Sequence, residues 1–289
     1  MGGWSAADIP DQSGRIVIVT GATSGLGEAT ARALAAAGAQ VIMACRNEIK
    51  ARAVAATMTG NVQIRALDLA DLASVRAFAG TVERTDVLVN NAGVMAVPKR
   101  ATADGFELQI GTNYLGHFAL TGLLLDRISE RVVNTSSLTH LIGRIDLEDL
   151  NWERRAYSRF GAYAQSKLAM LLFTYELQRR LAVTGAPKLS VAAHPGYAAT
   201  EISGETQNVL EQLVGLGNRL VAQSAEMGAL PTLYAATADV EPGAYYGPNR
   251  FNWRGHPTRV GSNAASHDEK TARQLWELSE RLTGVDFPI

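Results

Sequence analysis

From Arg15 to the C-terminus, short apolar runs rich in β-branched residues alternate with longer stretches rich in Ala and Leu. The apolar runs, residues 16–20, 41–45, 62–67, 87–90, 132–135, 189–193 and 244–246, predict seven strands. Most are continuous rather than alternating, the pattern of strands covered on both faces. Helices are expected near residues 28–37, 48–58, 72–83, 104–128, 163–181, 225–237 and 267–282. Regular alternation of strand and helix predicts βαβ units. The expected architecture is therefore α/β, a doubly wound, mostly parallel seven-stranded sheet with helices on both faces. Residues 1–14 read as an arm over the first strand and 15–289 as a single domain. Two longer irregular stretches, 197–224 and 241–262, are expected to shape a substrate pocket, since ligands of open α/β sheets bind beyond the carboxyl ends of the strands.

Composition removes several classes of partner. The chain has 27 Lys and Arg against 28 Asp and Glu, so a net charge of -1 offers no positive surplus for nucleic acid. Cys45 is the only cysteine, which excludes an intramolecular disulfide and a thiolate zinc site and points to a reducing, cytoplasmic setting. The longest stretch without charged side chains, 108–125, includes Gln109, Asn113, His117 and three glycines, so no membrane span is expected. The N-terminal residues carry no apolar run and read as neither signal nor anchor. No pair of the five histidines has metal-ligand spacing, and no metal is expected. Each histidine reads as structural, with His194 a candidate to orient the backbone before Pro195 and His256 a candidate to line a pocket.

Between the first strand and the first helix stands Gly21-Ala22-Thr23-Ser24-Gly25-Leu26-Gly27. Glycines there permit a tight turn, let the backbone approach a pyrophosphate, and leave helix N-terminal amides facing its charge. The end of the second strand, Ala44-Cys45-Arg46-Asn47, lacks the acid that binds a ribose hydroxyl and offers Arg46 for a 2′-phosphate, so NADP(H) is the expected cofactor. An alternative reading makes Arg46 part of a solvated helix start. Tyr163 and Lys167 are four apart on a predicted helix, so their side chains share one face. An adjacent ammonium would favour a phenolate at Tyr163 and make it an acid–base group at neutral pH.

The glycine turn, Asn90-Asn91-Ala92-Gly93, Asn113, Ser137, Tyr163-Ala164-Gln165-Ser166-Lys167 and Pro195-Gly196 occur in the order found in short-chain dehydrogenases/reductases, which this chain resembles from Arg15 onward. The resemblance implies a Rossmann-type domain that moves a hydride between NADP(H) and a carbonyl or alcohol substrate. It implies Tyr163 as acid–base residue and Lys167 as its partner and ribose ligand. It further implies Ser137 as holder of the substrate oxygen, with adjacent Ser136 a competitor, and Asn113 as holder of a relay water. Asp68 and Leu69 match the pair that contacts adenine, although Asp68 also reads as a helix cap, for which Asp71 is the better candidate. Asn91, Ala92, Gly93, Pro195, Gly196 and Thr200 match further cofactor contacts.

The stretch 138–162 and the Tyr245-Tyr246-Gly247-Pro248 segment resemble the branch containing retinol dehydrogenases, WW-domain oxidoreductase and protochlorophyllide reductase, which implies a lipophilic substrate. In this family the helix carrying Tyr163 often pairs with another subunit. Leu168, Leu171, Leu172 and Tyr175 form its apolar face, so a homodimer or tetramer is expected. Leu275, Leu278 and Leu282 form a stripe suited to core or interface. A competing class is a regulator that binds NADP(H) without chemistry, which would not need the Tyr163 and Lys167 pair.

Overall fold

Successive side chains of the central strands divide between two cores. Ile18, Ile42, Leu88 and Val132 enter one, while Val17, Val19, Val41, Met43, Val87, Val89 and Val133 enter the other. A strand that is apolar at every position has to be covered on both faces, and the fold does so. The computed structural model describes residues 3–197 and 223–289. Its strands are β1 (Ile16–Thr20), β2 (Gln40–Cys45), β3 (Asn61–Ala66), β4 (Thr85–Asn90), β5 (Ile128–Thr135), β6 (Leu189–Ala193), β7 (Tyr245–Arg250) and β8 (Arg254–Arg259). Among the described residues they form one sheet in the order β3-β2-β1-β4-β5-β6-β7-β8, parallel except for β8.

The helices are α1 (Gly25–Ala36), α2 (Glu48–Ala55), α3 (Leu72–Gly80), α4 (108–124), α5 (Arg159–Thr184), α6 (Ala225–Thr237) and α7 (Glu269–Thr283). Residues of α1, α2 and α6 pack on one face of the sheet, and those of α3, α4, α5 and α7 on the other. Asp71 caps α3, its Oδ1 accepting from the amides of Ala73 and Ser74, which leaves Asp68 available for another role. The order of strands reverses at β1, where connections leave toward β2 on one side and β4 on the other. That switch point opens a crevice at the carboxyl edge.

Three sequence expectations change. The sheet has eight strands rather than seven, because much of the stretch 241–262 is a β7–β8 hairpin. The sequence of β8, Arg-Gly-His-Pro-Thr-Arg, lacks an apolar pattern since an edge strand is held by pairing rather than burial, and Pro257 is tolerated there. The fourth helix starts at Leu108 and is interrupted by a π-helical turn at Gly111–Leu115. The apolar face of α5 is not free, since Leu168 and Leu172 pack in the core that also contains Trp276, and Leu171 and Tyr175 pack with Tyr245. The Leu275 stripe of α7 likewise serves the core. Most of the stretch 197–224 lies outside the described residues. Among those described, no helix is long and apolar enough to cross a membrane.

Candidate active site

The chain enters the glycine turn from the buried end of β1. Gly21 has a φ of +67°, and a Cβ on Gly27 would lie 2.4 Å from the Gly21 carbonyl oxygen and 2.5 Å from Asn91 Nδ2. Only glycine allows so close an approach of turn, helix and neighbouring loop. Ser24 precedes α1 in extended conformation without its side chain capping the helix, so the first amides, Gly25, Leu26 and Gly27, keep no side-chain partner from that cap. Thr23, Ser24 and Leu26 are half-buried around them. This cradle fits a dinucleotide pyrophosphate.

Thr20 staples the turn to the loop after β4. Its Oγ1 accepts from the amides of Asn91 (2.9 Å) and Ala92 (3.0 Å), while Asn91 Nδ2 donates to the Thr20 carbonyl (2.9 Å). Thr20 Oγ1 also lies 2.9 Å from His117 Nε2, and His117 Nδ1 lies 2.9 Å from the Asn113 carbonyl oxygen. A carbonyl only accepts, so Nδ1 carries the proton and Nε2 accepts a hydrogen bond from the Thr20 hydroxyl. Burial pushes His117 down to about 4 and keeps it neutral. Reading the sequence assigned His117 no partner; its offset of four from Asn113 on a helix was the available signal.

At the end of β2 the Arg46 guanidinium is 78% exposed and only 4.0 Å from the Asp68 carboxylate, a loose pair that leaves its donors open to an anion. Leu69 is buried beside Asp68. The Cys45 thiol is buried and pushed up to about 11, which leaves it unreactive.

Four elements bring the candidate catalytic residues together. Asn113 sits in the π-helical turn, its Nδ2 donating to the Val94 carbonyl and to Ser166 Oγ and its Oδ1 accepting from the Val94 amide. Its side chain therefore clamps the Asn91–Val94 loop to α5. Ser136 and Ser137 separate at the end of β5: the Ser136 hydroxyl donates to the Lys167 carbonyl (2.9 Å), whereas Ser137 faces Tyr163 and acts to lower its pKa. The His140 Nδ1, 2.7 Å from the Ser137 carbonyl, fixes the backbone there. Tyr163 and Lys167 lie one turn apart on α5, with Lys167 Nζ 5.6 Å from the centre of the Tyr163 ring.

Both groups are buried. Desolvation raises Tyr163 to about 12 against the lowering effect of Ser137, and lowers Lys167 to about 8. The Lys167 ammonium donates to the Thr135 carbonyl at 3.0 Å. Of its three protons that leaves two for a ligand. A Cβ at Gly93 would lie 3.1 Å from Asn113 Oδ1 and 3.7 Å from Lys167 Nζ, so the glycine keeps this side of the cluster open.

Beyond β6, the amide of Gly196 donates to His194 Nδ1 at 3.1 Å, which makes His194 the backbone-orienting group expected from the sequence. Burial pushes His194 down to about 3. Gly196 has a φ of +67° and abuts the Trp253 carbonyl, shaping the Pro195–Gly196 loop against the hairpin. His256 Nδ1 bonds the Trp4 carbonyl and ties the N-terminal arm to β8. Thr200 lies outside the described residues. Among those described, no cluster of His, Cys, Asp or Glu could hold a metal ion.

A phosphate-ready turn and a cluster of half-buried Ser137 with buried Tyr163 and Lys167, brought to one edge of a doubly wound sheet, are the equipment of a nicotinamide-dependent oxidoreductase of alcohol and carbonyl groups. The chain belongs to the short chain dehydrogenase family, whose model matches residues 15–210. It is 43% identical over 305 residues to human retinol dehydrogenase 13, covering 98% of this chain and 88% of that protein. It is 40% identical over 294 residues to mouse polyprenol dehydrogenase, covering 96% and 86% respectively. A crystal structure of an uncharacterized protein from Mycobacterium paratuberculosis superimposes with a TM-score of 0.89 at 52% identity, covering 99% of this chain and all of that one. An NAD(P)-dependent gluconate 5-dehydrogenase from Beutenbergia cavernae, solved with bound NADP, matches with a TM-score of 0.59 at 26% identity over 78% of this chain and 90% of its own.

Proposed function

We propose that the protein transfers a hydride between NADP(H) and a carbonyl or alcohol group on a small lipophilic substrate. The observation that carries this reading is the convergence of half-buried Ser137 with buried Tyr163 and Lys167 at the carboxyl edge of the sheet, where the glycine cradle also lies. Gly21, Thr23, Ser24, Gly25, Leu26 and Gly27 would hold the pyrophosphate, Asp68 and Leu69 the adenine, and Asn91, Ala92, Gly93, Lys167, Pro195 and Gly196 the ribose and nicotinamide. The nicotinamide, when bound, supplies or accepts the hydride. Tyr163 gives its proton to the carbonyl oxygen during reduction, and burial favours the protonated phenol needed for that direction. Ser137 donates to the same oxygen as charge develops on it. Lys167, with a pKa of about 8, carries its charge at neutral pH and eases loss of the Tyr163 proton. Asn113 acts by clamping the loop to α5.

Arg46 supports the choice of NADP(H), because an exposed, weakly paired guanidinium suits a 2′-phosphate. A lipophilic substrate is supported by exposed Leu141, Ile142 and Phe160, which lie just after β5 and at the start of α5. A cofactor-sensing regulator has no use for a Ser137, Tyr163 and Lys167 cluster. A reducing, cytoplasmic setting suits the lone buried Cys45.

Two substitutions test the reading. Tyr163→Phe is expected to lower kcat by about 10²- to 10⁴-fold while NADPH still binds, measured by cofactor fluorescence and NADPH oxidation over a carbonyl panel. Unchanged turnover would remove Tyr163 from the chemistry. Arg46→Ala should weaken NADPH by about ten- to a hundredfold and leave NADH unaltered, the effect of losing one charge-assisted contact. Equal loss for both cofactors would deny the phosphate site.

A further inference from the structure

Beyond the end of β6 the sheet continues as a projection. Tyr245 and Tyr246 pair with Ala192 and Ala193, the last residues of β6, and the chain then runs on as the β7–β8 hairpin. Trp253 N–H donates to the Arg250 carbonyl at 3.0 Å and closes the turn, whose central residues Phe251 and Asn252 have φ of 54° and 61°. Two positive φ angles match the twist of a hairpin, and asparagine suits them; a bulky aromatic does not. Phe251 is nonetheless there, and is 94% exposed. Trp253 is 51% exposed, its ring stacked on Tyr197 at 5.5 Å. A side chain held against both its backbone preference and its hydrophobicity calls for an occupant that rewards exposure.

Charge identifies the occupant. Arg250 and Arg254 flank the tip and are exposed, and among the described residues neither pairs with a carboxylate, whereas Arg259 farther down the hairpin pairs with Glu241. From Tyr245 to Ser262 there is no Asp or Glu. With a net charge of -1 the chain as a whole has no attraction for anions, so any affinity of this tip for them comes from its own arginines. Exposed aromatic rings beside exposed arginines at a hairpin turn match the layered chemistry of a bilayer interface, apolar below and phosphate above.

We propose that the β7–β8 tip docks the protein on an anionic phospholipid surface, with Phe251 and Trp253 entering the interface and Arg250 and Arg254 meeting lipid phosphates. The tip is tied to the site: the Tyr197 amide donates to the Trp253 carbonyl at 2.8 Å, and Gly196 packs against the same carbonyl. Docking thus turns the carboxyl edge, with its candidate site, toward the membrane. On the reading of a lipophilic substrate, this is where such a molecule enters.

The test is flotation of the full chain with phosphatidylcholine vesicles with and without phosphatidylserine. Wild type is expected to bind the phosphatidylserine vesicles more tightly. Phe251→Asn removes the ring and places a favoured residue in the turn, so the melting temperature should hold or rise while binding falls about ten- to a hundredfold. Arg250→Gln with Arg254→Gln should cost about 30-fold on anionic vesicles. Wild type that floats with neither vesicle, or Phe251→Asn that floats like wild type, overturns the proposal. So does a concentration-dependent dimer that Phe251→Asn abolishes without any vesicle binding, which assigns the tip to a second copy. Vesicle binding is read without turnover, so its failure is distinct from failure of the hydride-transfer reading.

Discussion

Tyr163 and Lys167 illustrate how burial sets chemistry one side chain at a time. Each is pushed toward its neutral form, the phenol upward and the ammonium downward, and together they span the range in which a proton can be held and released. Buried histidines carry the opposite consequence for stability. His117 drops from 6.5 to about 4 in the folded chain, so unfolding gains a proton as pH falls between those values. Its stabilising share is complete above 6.5 and is lost as pH approaches 4, an effect of about 3 kcal/mol. Denaturant melts from pH 7 to 4 should show this fall. His117→Gln should flatten it, with the remainder supplied by His194; an unaltered slope would place the effect elsewhere.

At the scale of the element, α7 is the helix whose role the sequence left undecided between core and interface. Trp276 is fully buried, with its ring centroid 5.2 Å from that of Phe118, 5.7 Å from Phe173 and 4.4 Å from Phe287. The helix therefore closes the core over α4 and α5. Trp276→Ala is expected to cost about 3 to 5 kcal/mol in a urea titration, since so enclosed a site cannot collapse. A cost below 1 kcal/mol would mean that α7 packs loosely. The strand that the sequence did not predict, β8, was invisible for the converse reason. Its residues bury little, and a pattern of hydrophobicity reports burial rather than pairing.

For the whole molecule, Leu168, Leu171, Leu172 and Tyr175 are buried within the chain, so these four side chains offer no free apolar face for pairing through α5. Sedimentation equilibrium of the purified protein is expected to give a monomer. A stable dimer would assign pairing to another surface. The parallel sheet, the glycine turn and the Tyr163 and Lys167 pair were legible because each depends on local order: continuous apolar runs, glycine where no Cβ fits, and a spacing of four on a helix. What the linear chain could not express was contact between distant residues. The engagement of the Ser136 hydroxyl by the Lys167 carbonyl depends on β5 meeting α5, the partners of His117 on the meeting of β1 with α4, and the exposure of Phe251 on a hairpin with no apolar signature. Periodicity along the sequence determined which faces must be buried; only the tertiary structure decided what each face is buried against, because that depends on packing between segments more than a hundred residues apart.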